Sequence, residues 1–305
     1  FRIEDDGTVL RDGHPAGNFE LAPGADPAES LLAIPTSYLQ IAHSDDDGVT
    51  WSKPRDLNPQ LKQPWMRFLG TCPGNGIALR HGPRPGRLVV PLYFNNDGNW
   101  LAMCATVAYS DDHGETWNLG HGPNDGRRTP NGELDPRTFV DETWSLHEAA
   151  VVERRDGTLV LYMRNQHPCG RVAVSESHDA GQTWGPIDFD EDLPEIWCQP
   201  NAICLPSAEG EDRIVFANAS LMLPFRGCGV IRLSLDGGRT WKRSRTFNPG
   251  HYVYQCMCAL PDGRIGILWE NECQGLYFSR IPLSWFDADV ESIEPHTTAD
   301  QDGRL

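Results

Sequence analysis

SDDHGETW, residues 110–117, occurs in three further versions: SDDDGVTW from Ser44, SHDAGQTW from Ser177 and SLDGGRTW from Ser234. All four fit Ser-x-Asp-x-Gly-x-Thr-Trp, at spacings of 66, 67 and 57 residues. Recurrence at a near-constant period marks a repeat architecture. The octet also reads as a folded turn. Its Asp bonds to the backbone of its own loop, Gly supplies φ above zero, Ser and Thr satisfy nearby backbone groups, and Trp covers the turn with apolar area. These aspartates are therefore architectural.

A short alternating strand precedes each octet: YLQIAHS, CATVAYS, RVAVSES and GVIRLS. Further upstream lie hairpin patterns: RIEDDGTVL, GIALRHGPRPGRLVVPLYF, AAVVERRDGTLVLYM, NAICLPSAEGEDRIVFANAS and CMCALPDGRIGILW. Each block thus reads strand, turn, strand, loop, strand, octet, strand, the content of one four-stranded propeller blade. Five such blocks are expected, at roughly 1–60, 65–125, 145–190, 198–247 and 250–285, in a single domain spanning 1–305 with an acidic tail at 286–305. No helical pattern recurs between the strands, so a parallel βαβ fold is disfavoured.

Composition agrees with many short strands. The 305 residues include 30 Gly and 24 Pro, with 39% hydrophobic and 23% charged. No apolar run approaches the ~18 residues of a membrane span. The chain begins at Phe1 without a signal-like segment. A soluble protein is expected, with a secreted or extracytoplasmic location favoured and a cytoplasmic one left open. The net charge of -17 argues against a nucleic-acid or anionic-membrane surface, so an anionic partner needs locally concentrated cations. The nine cysteines show no metal-ligand rhythm, and Cys256 and Cys258 face one side of a strand in poor disulfide geometry. Small buried hydrophobes are the expected reading, and no metal or other cofactor is called for.

Two hairpins carry polar residues at matched positions. In HYVYQCMCALPDGRIGILWE, residues 251–270, Tyr254 stands eight before the turn at Asp262 and Glu270 eight after. In HEAAVVERRDGTLVLYMRN, residues 147–165, Glu148 stands eight before Asp156 and Arg164 eight after. Residues equidistant from a turn face each other across the ladder. As equivalent units of one repeat, the two hairpins bring these open ends together.

The octets resemble the Asp boxes of the sialidase, or neuraminidase, superfamily, and most of the chain resembles the bacterial exo-sialidases of glycoside hydrolase family 33. PGNGIAL followed by GRLVVP, the E-x-x-V-V-E run at Glu148 and the Y-x-x-x-x-x-L-P-D-G run at Tyr254 carry the likeness. The resemblance implies an all-β, six-bladed β-propeller with one axial active site and a retaining exo-α-sialidase activity on sialylated glycans. It implies Tyr254 as nucleophile, Glu148 as its base, Arg164 and Arg226 as substrate-carboxylate ligands, and Glu270 as support for a further arginine. Sialidases are the known tyrosine exception among glycosidases. A neutral phenol avoids the repulsion a carboxylate would meet at an anomeric carbon that already bears one, and guanidinium gives the bidentate recognition that the substrate carboxylate needs.

The opening FRIE departs from the family's Phe/Tyr-Arg-Ile-Pro. Arg2 stands only four residues from its turn, so the first blade, with its arginine and acid, is expected to be absent or incomplete here. Arg2 and Asp26 are the weaker in-chain candidates for those roles. Related readings remain a hydrolase of another 2-keto-3-deoxy sugar acid or a trans-sialidase. From a different class comes a non-catalytic Asp-box propeller that binds glycan or protein. His147, His167 and His251 flank the expected site, and Asn218-Ala219-Ser220 fits a glycosylation acceptor while reading better as a structural asparagine.

Overall fold

The computed structural model describes residues 2–4, 8–18, 37–207, 210–222, 224–271 and 274–287. Asp26, Cys273 and the expected tail from 288 onward lie outside them. The chain is all-β, with one four-residue α-helix, Asn58–Leu61, and two 3-10 turns among the described residues.

Four sheets are arranged as propeller blades. The first runs from Phe68–Thr71 through Leu88–Asn95 and Cys104–Ser110 to Asn118–Leu119, with Ile77–Ala78 added to the Leu88–Asn95 strand. The second is a four-stranded meander of Leu146–Glu153, Leu159–Asn165, Arg171–Ser177 and Asp188–Pro194. The third repeats it with Asn201–Cys204, Ile214–Met222, Arg226–Ser234 and Arg243–His251. The fourth has three strands, Gln255–Ala259, Ile265–Glu270 and Leu276–Ile281.

Alternation explains why these sheets stack. Successive side chains of a strand point to opposite faces, and in the first three sheets both faces are buried. Ala149, Val151, Leu159 and Leu161 pack with Leu79, Val89 and Val107 of the first blade. Their neighbours Ala150, Val152, Val160 and Tyr162 pack the other way, against Ile214, Phe216 and Trp241 of the third. Val215 and Ala217 then meet Met257, Ile265 and Ile267 of the fourth. The first blade's outer face is covered by Leu39, Leu57, Leu61 and Met66.

The described residues of the 1–60 block are organised differently. Asp12 and Gly13 turn the chain at φ 53° and 83°, so His14–Asn18 folds straight back on Thr8–Arg11 in a local three-stranded sheet with Arg2–Ile3. Gln40–Ile41 and Arg55–Asp56 form a separate pair. The Asp-Gly at 12–13 is a hairpin signal strong enough to close that sheet locally.

The octets fold as their residues dictate. Ser177 Oγ donates to Asp179 Oδ1 at 2.8 Å, and the same carboxylate accepts from Thr183 N at 2.9 Å and Thr183 Oγ1 at 2.6 Å. The other three boxes repeat these bonds around Asp46, Asp112 and Asp236. Two successive residues turn left-handed in each box. The first of them is Asp47, His113, Ala180 or Gly237, and the second is always Gly. At Gly238 the requirement is also spatial, because a Cβ would lie 2.1 Å from the Tyr162 hydroxyl. Hydrogen bonds from their own Thr and Ser hold Asp46 and Asp112 near 2, far below the ordinary carboxylate range.

Among the described residues no helix is long and apolar enough to cross a membrane. The eight described cysteines are free thiols, and the small-hydrophobe reading holds for the buried Cys72, Cys104 and Cys198. Asn218 is 1% exposed and bonds to Pro194 O, Ser220 Oγ and Arg232 Nη1, which makes it a structural residue. Asp179→Ala strips one box of its acceptor and is expected to destabilise the fold by about 1–2 kcal/mol, read as a lower urea midpoint. An unchanged midpoint would show that the box bonds are dispensable.

Candidate active site

The hairpin symmetry of Tyr254 holds in the backbone. Gln255 pairs with Trp269, and one step further Glu270 N donates to Tyr254 O at 3.1 Å. In the second blade Ala149 pairs with Met163, which sets Glu148 beside Arg164 before the register shifts toward Leu146. The two turns are alike: Gly157 N donates to Arg154 O and Gly263 N to Leu260 O, with both glycines at positive φ.

The open ends meet. Tyr254 Oη donates to Glu148 Oε1 at 2.6 Å, from a strand 106 residues away. Arg164 Nη1 donates to Glu148 Oε2 at 2.9 Å and Oε1 at 3.2 Å, and to Tyr254 Oη at 3.2 Å. Arg226 approaches from the third blade, its guanidinium carbon 5.7 Å from the Tyr254 ring centre and its Nη1 3.5 Å from Trp197 O.

Charge in this cluster follows from burial and neighbours. Burial, then the Glu148 carboxylate, pushes the Tyr254 phenol well above its ordinary value, so it is neutral at physiological pH. Burial opposes the Arg164 charge, but Glu148 and Tyr254 outweigh it and lift its pKa. Tyr93 feels the same field, raised to about 12 by burial and by Glu148. His147, 6% exposed, is pushed down to about 4, first by burial and then by Arg164. The ring is thus neutral at neutral pH, with its Nε2 3.1 Å from Gln166 Nε2. His167 stacks on Phe189, and His251 meets the edge of Phe225.

Two expected participants stand apart. The backbone of Glu270 pairs with Tyr254, but its carboxylate takes no part in the Glu148–Arg164–Tyr254 bonds. Arg2 is exposed and pairs with Glu4 at 3.2 Å. Two cavities of about 530 and 600 Å³ lie elsewhere. The larger opens beside Glu153, Arg155, Cys204 and Cys258, toward the turn ends of the hairpins that carry Glu148 and Tyr254 at their other ends.

A family model described as a BNR repeat-like domain matches residues 29–267. The chain belongs to the BNR-repeat, sialidase-type propeller family. A sialidase of Micromonospora viridifaciens is 33% identical over 268 residues, 86% of this chain and 37% of its own length. The structure of a Hadza microbial sialidase superposes with a TM-score of 0.62 at 29% identity, covering 81% of this chain and 44% of that one. A leech intramolecular trans-sialidase superposes at 0.64 with 26% identity, covering 80% and 36%. The chain thus spans less than half the length of these relatives.

One acid of this sialidase-type propeller escaped sequence reasoning. Glu195 is 7% exposed; its Oε1 accepts from Cys198 N at 3.0 Å, while Oε2 is buried without a hydrogen-bond partner. Burial raises its pKa to about 8, against the partial relief of the Cys198 N–H and Arg164. Held neutral, it leaves one negative and two positive groups in the cluster, a net attraction for an anion that the overall -17 does not supply. Only its place among apolar neighbours, in LPEIWCQPN, hinted at this.

The sign of the effect on stability is fixed. Between the ordinary 4.5 and about 8 the folded protein retains a proton that the unfolded chain releases, so stability falls as pH rises through that window. Glu195→Gln cannot ionise and lacks this loss. The variant should gain in melting temperature relative to the parent as pH rises from about 5 to about 8. His147 acts oppositely below 6.5 but equally in both proteins, so it cancels in the difference. Parallel pH profiles would show that Glu195 ionises normally in the fold.

Proposed function

We propose that this chain is the catalytic propeller of a retaining exo-α-sialidase, built on six blades, that releases terminal sialic acids through a Tyr254-linked intermediate. The observation that supports the reading is the 2.6 Å bond from Tyr254 Oη to Glu148 Oε1, bridged by Arg164. A phenol held neutral is a weak nucleophile until a base in contact takes its proton, and Glu148 is in that contact.

In the first step Tyr254 Oη bonds to the anomeric carbon, its proton passes to Glu148, and the glycosidic carbon–oxygen bond breaks with its electrons on the leaving oxygen. That oxygen takes a proton from a general acid, for which Asp26 is the in-chain candidate. In the second step water attacks the anomeric carbon, the Tyr254 oxygen leaves and recovers its proton from Glu148, and the water's proton goes to the conjugate base of the acid. All three Arg164 bonds come from Nη1. Its Nη2 and Nε are thus available to grip the substrate carboxylate together with Arg226.

An aryl sialoside needs little help from the acid, so it isolates the nucleophile. Tyr254→Phe and Glu148→Gln should each lower kcat/KM on such a substrate by about 10²–10⁴. Arg226→Ala should raise KM more than it lowers kcat. Full activity in Tyr254→Phe would contradict the proposed role of the phenol.

A further inference from the structure

Trp197 combines two features with no explanation in the packing of the fold. Its backbone sits at φ 65°, in a region that bulky side chains rarely adopt, and its side chain remains 52% exposed. Such a conformation is strained and persists only where neighbours hold it. Glycine at this position would relieve the strain, and a polar residue would remove the exposed apolar surface.

The neighbours that hold it belong to the site. Glu195 Oε1 accepts from Cys198 N at 3.0 Å and closes the turn that carries Trp197, while Glu195 N is fixed by Gly170 O. Cys198 Sγ donates to Val253 O at 3.0 Å, next to Tyr254. On the other side the Trp197 carbonyl faces Arg226 Nη1, and the same guanidinium lies by the Tyr254 ring. The loop is thus tied at both ends to the groups proposed to bind and attack the terminal sugar. Its Trp197 is exposed to solvent, and that residue's carbonyl lies 3.5 Å from Arg226 Nη1.

An exposed indole face is the surface on which the C–H face of a pyranose stacks. We propose that Trp197 is the platform for the sugar adjacent to the terminal acidic residue, and hence that the enzyme selects glycan chains over simple glycosides of sialic acid. This rests on the sialidase reading. Glu195 acts here as a positioning residue, its buried carboxyl fixing the turn and touching no substrate.

The test compares a sialyl trisaccharide with methyl sialoside by calorimetric titration, in the Tyr254→Phe background where turnover is blocked. With Trp197 present the trisaccharide should bind about tenfold tighter than the methyl glycoside, and Trp197→Ala should erase that margin while shifting the methyl glycoside less than about twofold. Trp197→Phe, which keeps an aromatic face, should retain most of the margin. Equal weakening of both ligands, or of neither, would overturn the platform and leave the sialidase reading intact. Failure of both ligands to bind, here and in the unsubstituted chain, would sink the sialidase reading and the platform with it.

Discussion

Burial of both faces of the blades at 68–119, 146–194 and 201–251 is the constraint on which the rest of this protein depends. Ala149 and Val151 pack one way and Ala150 and Val152 the other, so no blade of this kind completes its core without both neighbours. Strand period and blade stacking thereby become one requirement. The Asp boxes secure the outer turns, each with a carboxylate closed by its own Ser and Thr. The inner strands Leu146–Glu153, Asn201–Cys204 and Gln255–Ala259 are left side by side. Their ends project Glu148, the Trp197 turn and Tyr254 toward one place.

Electrostatics at that place runs against the protein as a whole. The chain carries -17, while the cluster sets two guanidiniums around the Glu148 carboxylate and keeps Glu195 protonated by burying it. The same burial keeps Tyr254 a phenol, so that in the proposed mechanism the Glu148 carboxylate can act as its base without facing a tyrosinate in the resting state. A neutral phenol and a cationic cradle are what the proposed substrate, an anionic sugar with its carboxylate at the reacting carbon, requires.

Much of this was legible in the residues. The octets announce their turns because the recurring Ser, Asp, Gly and Thr bond to one another within each octet, and local chemistry is what a sequence displays best. Glu148, Arg164, Tyr254 and Glu270 were placed by counting from Asp156 and Asp262, and the backbone registers agree. Counting could not foresee that Glu270 would meet Tyr254 only through the main chain, nor that Asp12-Gly13 would close a small sheet of its own. Glu195 and Trp197 were invisible for another reason. One acquires its character from burial and the other from a strained turn, and both arise only when the 146–194, 201–251 and 255–281 sheets come together.

The central claim is that the Tyr254 oxygen becomes covalently bound to the sugar, and a fluorinated sialosyl fluoride addresses it directly. Fluoride departs without a proton, and the ring fluorine slows release of the adduct. Intact-mass and peptide analysis after exposure should show one sugar attached at Tyr254, and none when Glu148 is replaced by Gln at short times. Turnover of sialosides with no adduct, or an adduct on another residue, would contradict the account.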